Sequence, residues 1–469
     1  MSRPNILLVI LDSVRAKNTS LHSGRVETTP NISELSKQST WYTQARAPGI
    51  HSVASHASIF SGLEVEEHQL FQHESRLDPE ASIWTTLSEK YGYNTGIFTP
   101  NVVVSRSSNL AEHFGHMVGP KRWTEASDGL SLEELGENPS TIEFINEALR
   151  HDHPIQSLLN GFKYKFNPIR SQDPEKERGE VYISEFLNWC QQQDEQWAAC
   201  INLMDAHYPY IAQPKHQTED DALRSLSEYF EPPMSRHVLT KGGWWALQAL
   251  EGLYNECIRQ ADEAVKLLIE GIKQLGEYED TLIVVTSDHG EAFGEYSQVS
   301  PNTRLCDHSW GIHEVQTHVP LIVKHPQQKS EKRINSPATL CKFPDVVEST
   351  IVEEKESFVP ESGRVLSSTY RVPEPGESLP DDVRQSDYIG PWRAMYIDTP
   401  DGIIKKTTHA QDGASVVINS CEEWSIQSRK YPTEVDNLFD ELTDANVSIG
   451  QKQTNDEIER QLEALGYMR

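Results

Sequence analysis

The sequence predicts an α/β fold: a doubly wound, mostly parallel sheet flanked by helices, followed by a smaller C-terminal α+β subdomain. Three observations predict it. Short runs that are apolar at every position, not at alternate ones, mark strands covered on both faces. Stretches of helical period separate those runs. Acids and histidines stand just after several runs, at the strand ends where open α/β sheets place their sites.

The elements follow in chain order. Asn5–Leu11 is an unbroken apolar run and the first strand. Ser82–Tyr91 has a helical pattern and leads into the strand Asn94–Phe98. The stretch from Val103 to Arg178 is polar and irregular, an insertion able to shape a substrate mouth. Val181–Gln191 reads as a helix, Ala198–Met204 as a strand and Trp245–Leu275 as a long helix. Leu282–Thr286 and Val319–Val323 complete the set of runs read as central parallel strands. From Gln327 to Asp387 the chain is rich in Pro, Ser and Glu, which reads as a linker or excursion. Arg393–Ile397 and Gly402–Thr407 flank Thr399-Pro400-Asp401-Gly402, whose Pro, Asp and Gly suit a hairpin turn. Val416–Ile418 adds a strand, and Asn455–Leu465 an amphipathic helix ended by Gly466. The expected organisation is a catalytic α/β domain over 1–326, a linker over 327–390 and a C-terminal subdomain over 391–469.

Composition narrows the function. The 469 residues carry 42 Lys and Arg against 71 Asp and Glu, a formal charge of −29. Such a chain repels nucleic acid and anionic membranes, which excludes both as partners. The acid is spread over the whole length, as in proteins adapted to high salt. A hydrophobic share of 37% excludes global disorder. No run of about 18 apolar residues exists to span a membrane. Ile6–Leu11 is too short for the core of a leader peptide, so a cytoplasmic location is expected. The six cysteines are scattered without a CxxC pair, which predicts reduced, buried thiols.

Five segments carry candidate chemistry, each with a plainer alternative. Asp12 follows the first strand and either binds a cation or caps a helix. Asp288-His289-Gly290 follows another strand, and an Asp beside a His suits a metal, although an N-cap explains the Asp equally well. Ala47–Leu63 places Ser52 and His56 before an apolar helix, where Ser52 is either a nucleophile or part of an N-cap region. His207 and His308 stand in loops next to strands, as a proton donor or as hydrogen-bonded loop histidines.

In this order the five segments resemble the sulfatase family of the alkaline phosphatase superfamily. Pro4-Asn5-Ile6-Leu7-Leu8-Val9 leading to Asp12 resembles the family's opening strand and metal-binding Asp. Thr29-Pro30-Asn31-Ile32 with Leu35 resembles its TPNIDxLA segment. Ser52–Gly62 resembles the nucleophile motif C/S-x-P/A-x-R, and Ser287-Asp288-His289-Gly290-Glu291 the second metal motif. Val319-Pro320-Leu321-Ile322-Val323 resembles a later family strand. Leu438-Phe439-Asp440 and Leu465-Gly466-Tyr467 resemble family features near the C-terminus.

The resemblance implies an alkaline-phosphatase-like fold and a set of roles. Ser52 takes the nucleophile position. Asp12, Asp288 and His289 bind one divalent metal ion that Ser52 also touches, Ca2+ by family habit and Mn2+ or Zn2+ by the imidazole ligand. His207, His308 and His56 form the catalytic surround, with Ser309 an alternative to His308 if the alignment shifts by one. The chain departs from the family at Ser13, where many members carry a further metal-binding Asp. It departs again at Ala54 for Pro, at His56 for Arg, and near Asn101, where no Lys is found. The motif's Arg supports conversion of the nucleophile to formylglycine, so His56 puts that maturation in question.

The implied activity is hydrolysis of sulfuric esters on a small anionic substrate. A phosphomonoester or phosphodiester hydrolase or phosphotransferase is the alternative, because an unmodified serine is easier to regenerate from phosphate than from sulfate. A non-catalytic binder of anionic sugars is the third reading, motivated by the missing groups.

Overall fold

The computed structural model describes residues 3–120, 130, 141–151, 153, 154, 156–158, 178–227, 229, 230, 233–370, 385–400, 402–453, 458 and 462. Its main sheet has eight strands. They are β1 (Asn5–Leu11), β2 (Thr40–Tyr42), β3 (Asn94–Phe98), β4 (His116–Val118), β5 (Trp197–Leu203), β6 (Thr281–Thr286), β7 (Leu321–Lys324) and β8 (Lys332–Ile334), in the spatial order β8-β2-β7-β6-β1-β5-β3-β4. β1 lies between β5 and β6, parallel to both. All seven of its residues are buried, as an unbroken apolar run requires of a strand covered on two faces. One face packs Leu7, Val9 and Leu11 against Tyr254, Cys257 and Ala261 of the helix Trp244–Leu275; the other packs Ile6, Leu8 and Ile10 in a core with Val53 and Phe60. Each such aliphatic side chain contributes roughly 1.5–3 kcal/mol on burial.

One expectation about strand direction is corrected. The run Val319–Val323 was read as a parallel strand, but β7 is antiparallel to both β6 and β2. The short connection explains it: the hairpin Ala292–Tyr296 and Arg304–Asp307 and a four-residue helix occupy the chain between β6 and β7, with no crossover helix long enough to return the chain to the starting edge. Apolarity on both faces reports burial, not direction.

Capping signals mark two of the expected helices. Ser82 caps Ile83–Glu89 by accepting from Trp84 N, and Gly276 ends Trp244–Leu275 in the left-handed region (φ 81°) that a side chain disfavours. Gly179–Cys190 is a further helix, starting beside Asp205.

A second, antiparallel sheet follows the order Arg364–Thr369, Trp392–Thr399, Gly402–His409, Asp412–Ile418, Trp424–Ser428. The hairpin expected at Thr399–Gly402 closes Trp392–Thr399 onto Gly402–His409. Within 327–390 lie β8, the helix Phe343–Ile351 and the first strand of this second sheet. A buried ion cluster ties the second sheet to the segments that follow β2 and precede β7: Lys405 Nζ sits 3.3 Å from Glu314 Oε1, whose Oε2 is 2.8 Å from Arg46 Nη2. The helix expected over Asn455–Leu465, and most of the insertion expected up to Arg178, lie outside the described residues. Among the described residues no helix is long and apolar enough to cross a membrane, and all six cysteines are unpaired and buried.

Candidate functional site

β1 and β6 are neighbours, so their carboxyl ends bring Asp12 and Asp288 together although 276 residues separate them (288 − 12). Asp12, Asp288 and His289 each offer a ligand atom, all within 4.8 Å of one another and all fully buried. His289 Nδ1 lies 3.0 Å from the carbonyl oxygen of Gly290 and donates to it, which leaves the lone pair of Nε2 facing the carboxylates. Nε2 is 3.4 Å from Asp288 Oδ2 and 4.0 Å from Asp12 Oδ1. Gly290 is required here, since a Cβ would stand 2.1 Å from the Val315 carbonyl oxygen.

Ser52 is the first residue of the helix Ser52–Ser61. Its Oγ is 3.5 Å from His289 Nε2, so the hydroxyl borders the three-residue cluster and sits at the helix end that favours negative charge. Ser55 instead donates to the Gly49 carbonyl oxygen at 3.1 Å, and Ser58 meets His68 at 3.0 Å. Of the serines in this helix, Ser52 alone is brought to the cluster by the hydrogen bonds described.

The histidines fall into two groups. His56 is held below the cluster. Its Nδ1 donates to the Ser52 carbonyl oxygen at 2.8 Å, its Nε2 accepts from Asn202 Nδ2 at 3.0 Å, and Nδ1 is also 3.6 Å from Asp288 Oδ2. It therefore braces the start of the Ser52 helix. The His308 ring packs at a tilt against His289, with ring centroids 4.4 Å apart, and against His207 at 5.2 Å. His51 adds a fourth ring, 6.3 Å from His308. His207 Nδ1 is 2.7 Å from the Tyr208 carbonyl oxygen. Asp205, two residues before His207, turns away and accepts from Gly179 N and Gln260, so it holds a helix start outside the site. Ser309, the alternative to His308, spends its N–H on Asp307 Oδ1.

Sequence reasoning missed three residues. Asn101 donates to Asp12 Oδ2 at 2.9 Å and to Ser52 Oγ at 3.4 Å, while its Oδ1 accepts from Val103 N and Val104 N. At the place where a family Lys was sought, a neutral amide ties the nucleophile position to the first carboxylate. Asn202 lies inside β5 and reaches both Asp12 and His56. A lone Asn in an apolar strand was the available signal. Glu291 is fully buried, with Oε2 3.1 Å from His308 Nδ1 and Oε1 without a hydrogen-bond partner. Ser13, in the left-handed region at φ 63°, donates its hydroxyl to Asp12 Oδ1 and its N–H to Asp288 Oδ1.

The electrostatics are those of a site built for a cation beside an anion. Burial and the facing Asp12 push Asp288 up to about 8, against the pull of His56. Burial disfavours the charge of Asp12 as well, but His207, His289, His56 and His308 face it and hold its pKa below the ordinary value. Two buried carboxylates this close keep one proton between them unless a cation replaces it. Burial pushes Glu291 up to about 7 and, with His289 and His207, drives His308 well below an ordinary imidazole.

The donor set fits a divalent metal ion. Asp288 Oδ2 is buried, has no hydrogen-bond partner and faces the other two ligand residues. Two carboxylates and one imidazole suit Mn2+ or Zn2+ as well as Ca2+.

Comparisons with known proteins place the chain in a family. A family model described as Sulfatase matches residues 4–346. The chain is 20% identical over 348 residues to arylsulfatase K of Bos taurus, covering 72% of this chain and 60% of that one. It is 21% identical over 350 residues to an ulvan-active sulfatase of Formosa agariphila, covering 75% and 61%. The chain thus spans about three fifths of the length of these two relatives. An uncharacterised sulfatase, YidJ of Escherichia coli, is 21% identical over 464 residues, covering 95% of this chain and 85% of its own. Among solved structures, a phosphonate monoester hydrolase of Agrobacterium radiobacter superposes with a TM-score of 0.56 at 16% identity, covering 88% and 89%. One from Silicibacter pomeroyi gives 0.57 at 16%, covering 90% and 88%. These two show the shared fold.

Proposed function

The chain belongs to the sulfatase family, and from that membership we propose that it is a metal-dependent hydrolase of sulfuric esters acting on a small sulfated substrate through Ser52. The observation that carries the reading is the meeting of Ser52 Oγ, Asp12, Asp288 and His289 at one strand-end cluster.

Asp12, Asp288 and His289 hold the ion in this reading, with Ca2+ favoured and Mn2+ or Zn2+ the alternatives. A divalent ion there lowers the pKa of an adjacent hydroxyl and neutralises oxygens of the transferring group. Asn101 fixes the Ser52 rotamer against Asp12. Ser52 Oγ releases its proton to solvent as it attacks sulfur in line, the bond from sulfur to the leaving oxygen breaks, and His207 or His308 donates a proton to that oxygen and is reprotonated from solvent. Water then releases sulfate from Ser52. The rings of His51, His207 and His308 give an acidic protein a pocket that accepts an anion.

A second reading, phosphoester hydrolysis or phosphotransfer, is favoured by one observation. His56 stands where the maturation motif has Arg, and both its nitrogens are engaged by Ser52 and Asn202. A Ser52 left unmodified regenerates more readily from phosphate. The buried, unpartnered Asp288 Oδ2 speaks against the binding-only reading. We place the enzyme in the cytoplasm, where six reduced thiols persist, at high salt. Chelation, metal add-back and parallel assay of an aryl sulfate, a phosphate monoester and a phosphate diester test the proposal. Metal-dependent sulfate release supports it; metal-independent turnover, or turnover of phosphates alone, overturns it.

A further inference from the structure

A polar cavity lies at the other end of the sheet. Because β7 is antiparallel to β6, Leu321 pairs with Thr286 beside the catalytic cluster, whereas Lys324 pairs with Ile283 further back. The five steps along the chain from Ile283 to Asp288 place the end of β7 roughly 17 Å from that cluster, at about 3.3 Å per strand residue. There a cavity of about 270 Å³ opens among residues of β2, β8 and the turns after β7 and after the helix Phe343–Ile351.

Its lining is cationic in a chain of net charge −29. Lys332 and Lys355 both border it, and neither has a carboxylate within ion-pair distance among the described residues. Lys324, which precedes His325, is occupied instead by the Tyr278 carbonyl oxygen at 2.9 Å. His325 lines the cavity with 7% of its surface exposed, and its ring makes no hydrogen bond to any described residue. Among the described residues Glu356 is the one acid on the lining, set against two lysines, and Lys342, which pairs with Asp345 at 2.5 Å, lies 3.6 Å from it. Hydroxyls of Thr40 and Ser357 border the same space. Burial, then Lys355, Lys332 and Lys324, hold His325 near 4.

Two unneutralised ammonium groups, two hydroxyls and a nearly buried imidazole with unspent ring nitrogens converge on one opening. Left alone, the cations repel one another and the imidazole stays neutral. A tetrahedral oxyanion relieves the repulsion, accepts from the hydroxyls and turns His325 into a third donor. We propose that this cavity is a second oxyanion site, distinct from the catalytic cluster, which takes a sulfate or phosphate group, either free or carried on a sugar. It does not depend on the ester chemistry, so either can fail alone.

The test follows the His325 ring by NMR in histidine-labelled full chain, with the resonance assigned by its loss in His325→Gln. Sodium sulfate, sodium phosphate and a monosaccharide 6-sulfate are titrated at constant ionic strength set by KCl. The expected result is a saturable shift of the His325 signal with its titration moved to higher pH. K332Q/K355Q weakens the apparent affinity at least tenfold, while the melting temperature stays unchanged. Tighter binding of the sugar sulfate than of inorganic sulfate identifies an ester as the occupant, and the reverse identifies the free ion. No saturable shift with any of the three, or the same shift with added chloride alone, overturns the proposal. So does a double variant that keeps its fold and binds as wild type.

Discussion

Replacing Asp288 with Asn alters one charge at the centre of the proposed metal site, and its effect on stability has a calculable sign. The folded-state pKa of Asp288 rises from an ordinary 3.8 to about 8, first through burial and then through Asp12. For an acid whose pKa is raised on folding, the native chain holds more protons than the unfolded chain between the two values. Stability without metal is therefore full below about pH 4 and falls as pH climbs to about 8. At roughly 1.4 kcal/mol for each tenfold change in proton affinity, that interval corresponds to on the order of 5 kcal/mol. Asp12, whose pKa the facing imidazoles hold below the ordinary value, is ionised in both the folded and unfolded chain across this window and adds no pH dependence there, so the step from pH 5 to pH 8 carries a loss of about 4 kcal/mol. Asp288→Asn keeps the shape and removes the ionisation. Urea unfolding of chelated protein at constant KCl, from pH 5 to pH 8, should show wild type losing stability and Asp288→Asn losing much less. Adding the divalent ion at pH 8 should restore wild type and leave the variant unchanged, and ester turnover should be lost in the variant. Equal pH profiles for the two chelated proteins, or equal stabilisation of both by metal, would refute the reasoning.

Three further predictions follow from other contacts. Ser55→Ala removes only a hydroxyl bonded to the Gly49 carbonyl oxygen and should keep turnover within a few-fold of wild type in a steady-state assay. Glu291→Gln alters the carboxylate that meets His308. It should lower turnover of alkyl sulfates, which need a proton donor, at least tenfold more than turnover of aryl sulfates; an equal loss on both would reduce Glu291 to a packing role. The charge of −29 should lower the melting temperature by several degrees at about 0.01 M salt, where screening reaches roughly 30 Å, relative to molar KCl; identical melting curves would contradict the high-salt reading.

The parts of this molecule that were legible in the sequence share a cause. Apolar runs buried on two faces look alike wherever they occur, and the residue after such a run is on display, so Asp12 and Asp288-His289 could be found without coordinates. Direction was less legible: β7 has the composition of a parallel strand and runs antiparallel, because direction is set by what lies between strands. Arg364–Thr369 lies in a stretch rich in Pro, Ser and Glu nearby, yet five of its six residues are buried once it pairs with Trp392–Thr399. Asn101, Asn202 and Glu291 were hidden for another reason. Each is a single polar residue whose meaning comes from partners far away in the chain, and no local period or spacing reports such partners. His56 was visible as a departure from a motif, but its bracing of the Ser52 helix through the Ser52 carbonyl oxygen and Asn202 emerges only in three dimensions.

The central claim is that Ser52 attacks the ester at a metal site made by Asp12, Asp288 and His289. The most direct measurement is mass spectrometry of the Ser52 peptide, from wild type quenched during turnover and from resting enzyme, alongside steady-state turnover of Ser52→Ala. The account predicts that the variant loses nearly all activity while still binding the metal. It also predicts that the wild-type peptide carries either a trapped sulfate on Ser52 or the loss of two hydrogens that marks formylglycine. A phosphate trapped on an unmodified Ser52 would move the chemistry to phosphoesters. A fully active Ser52→Ala enzyme would contradict the account and leave a water molecule as the attacking group.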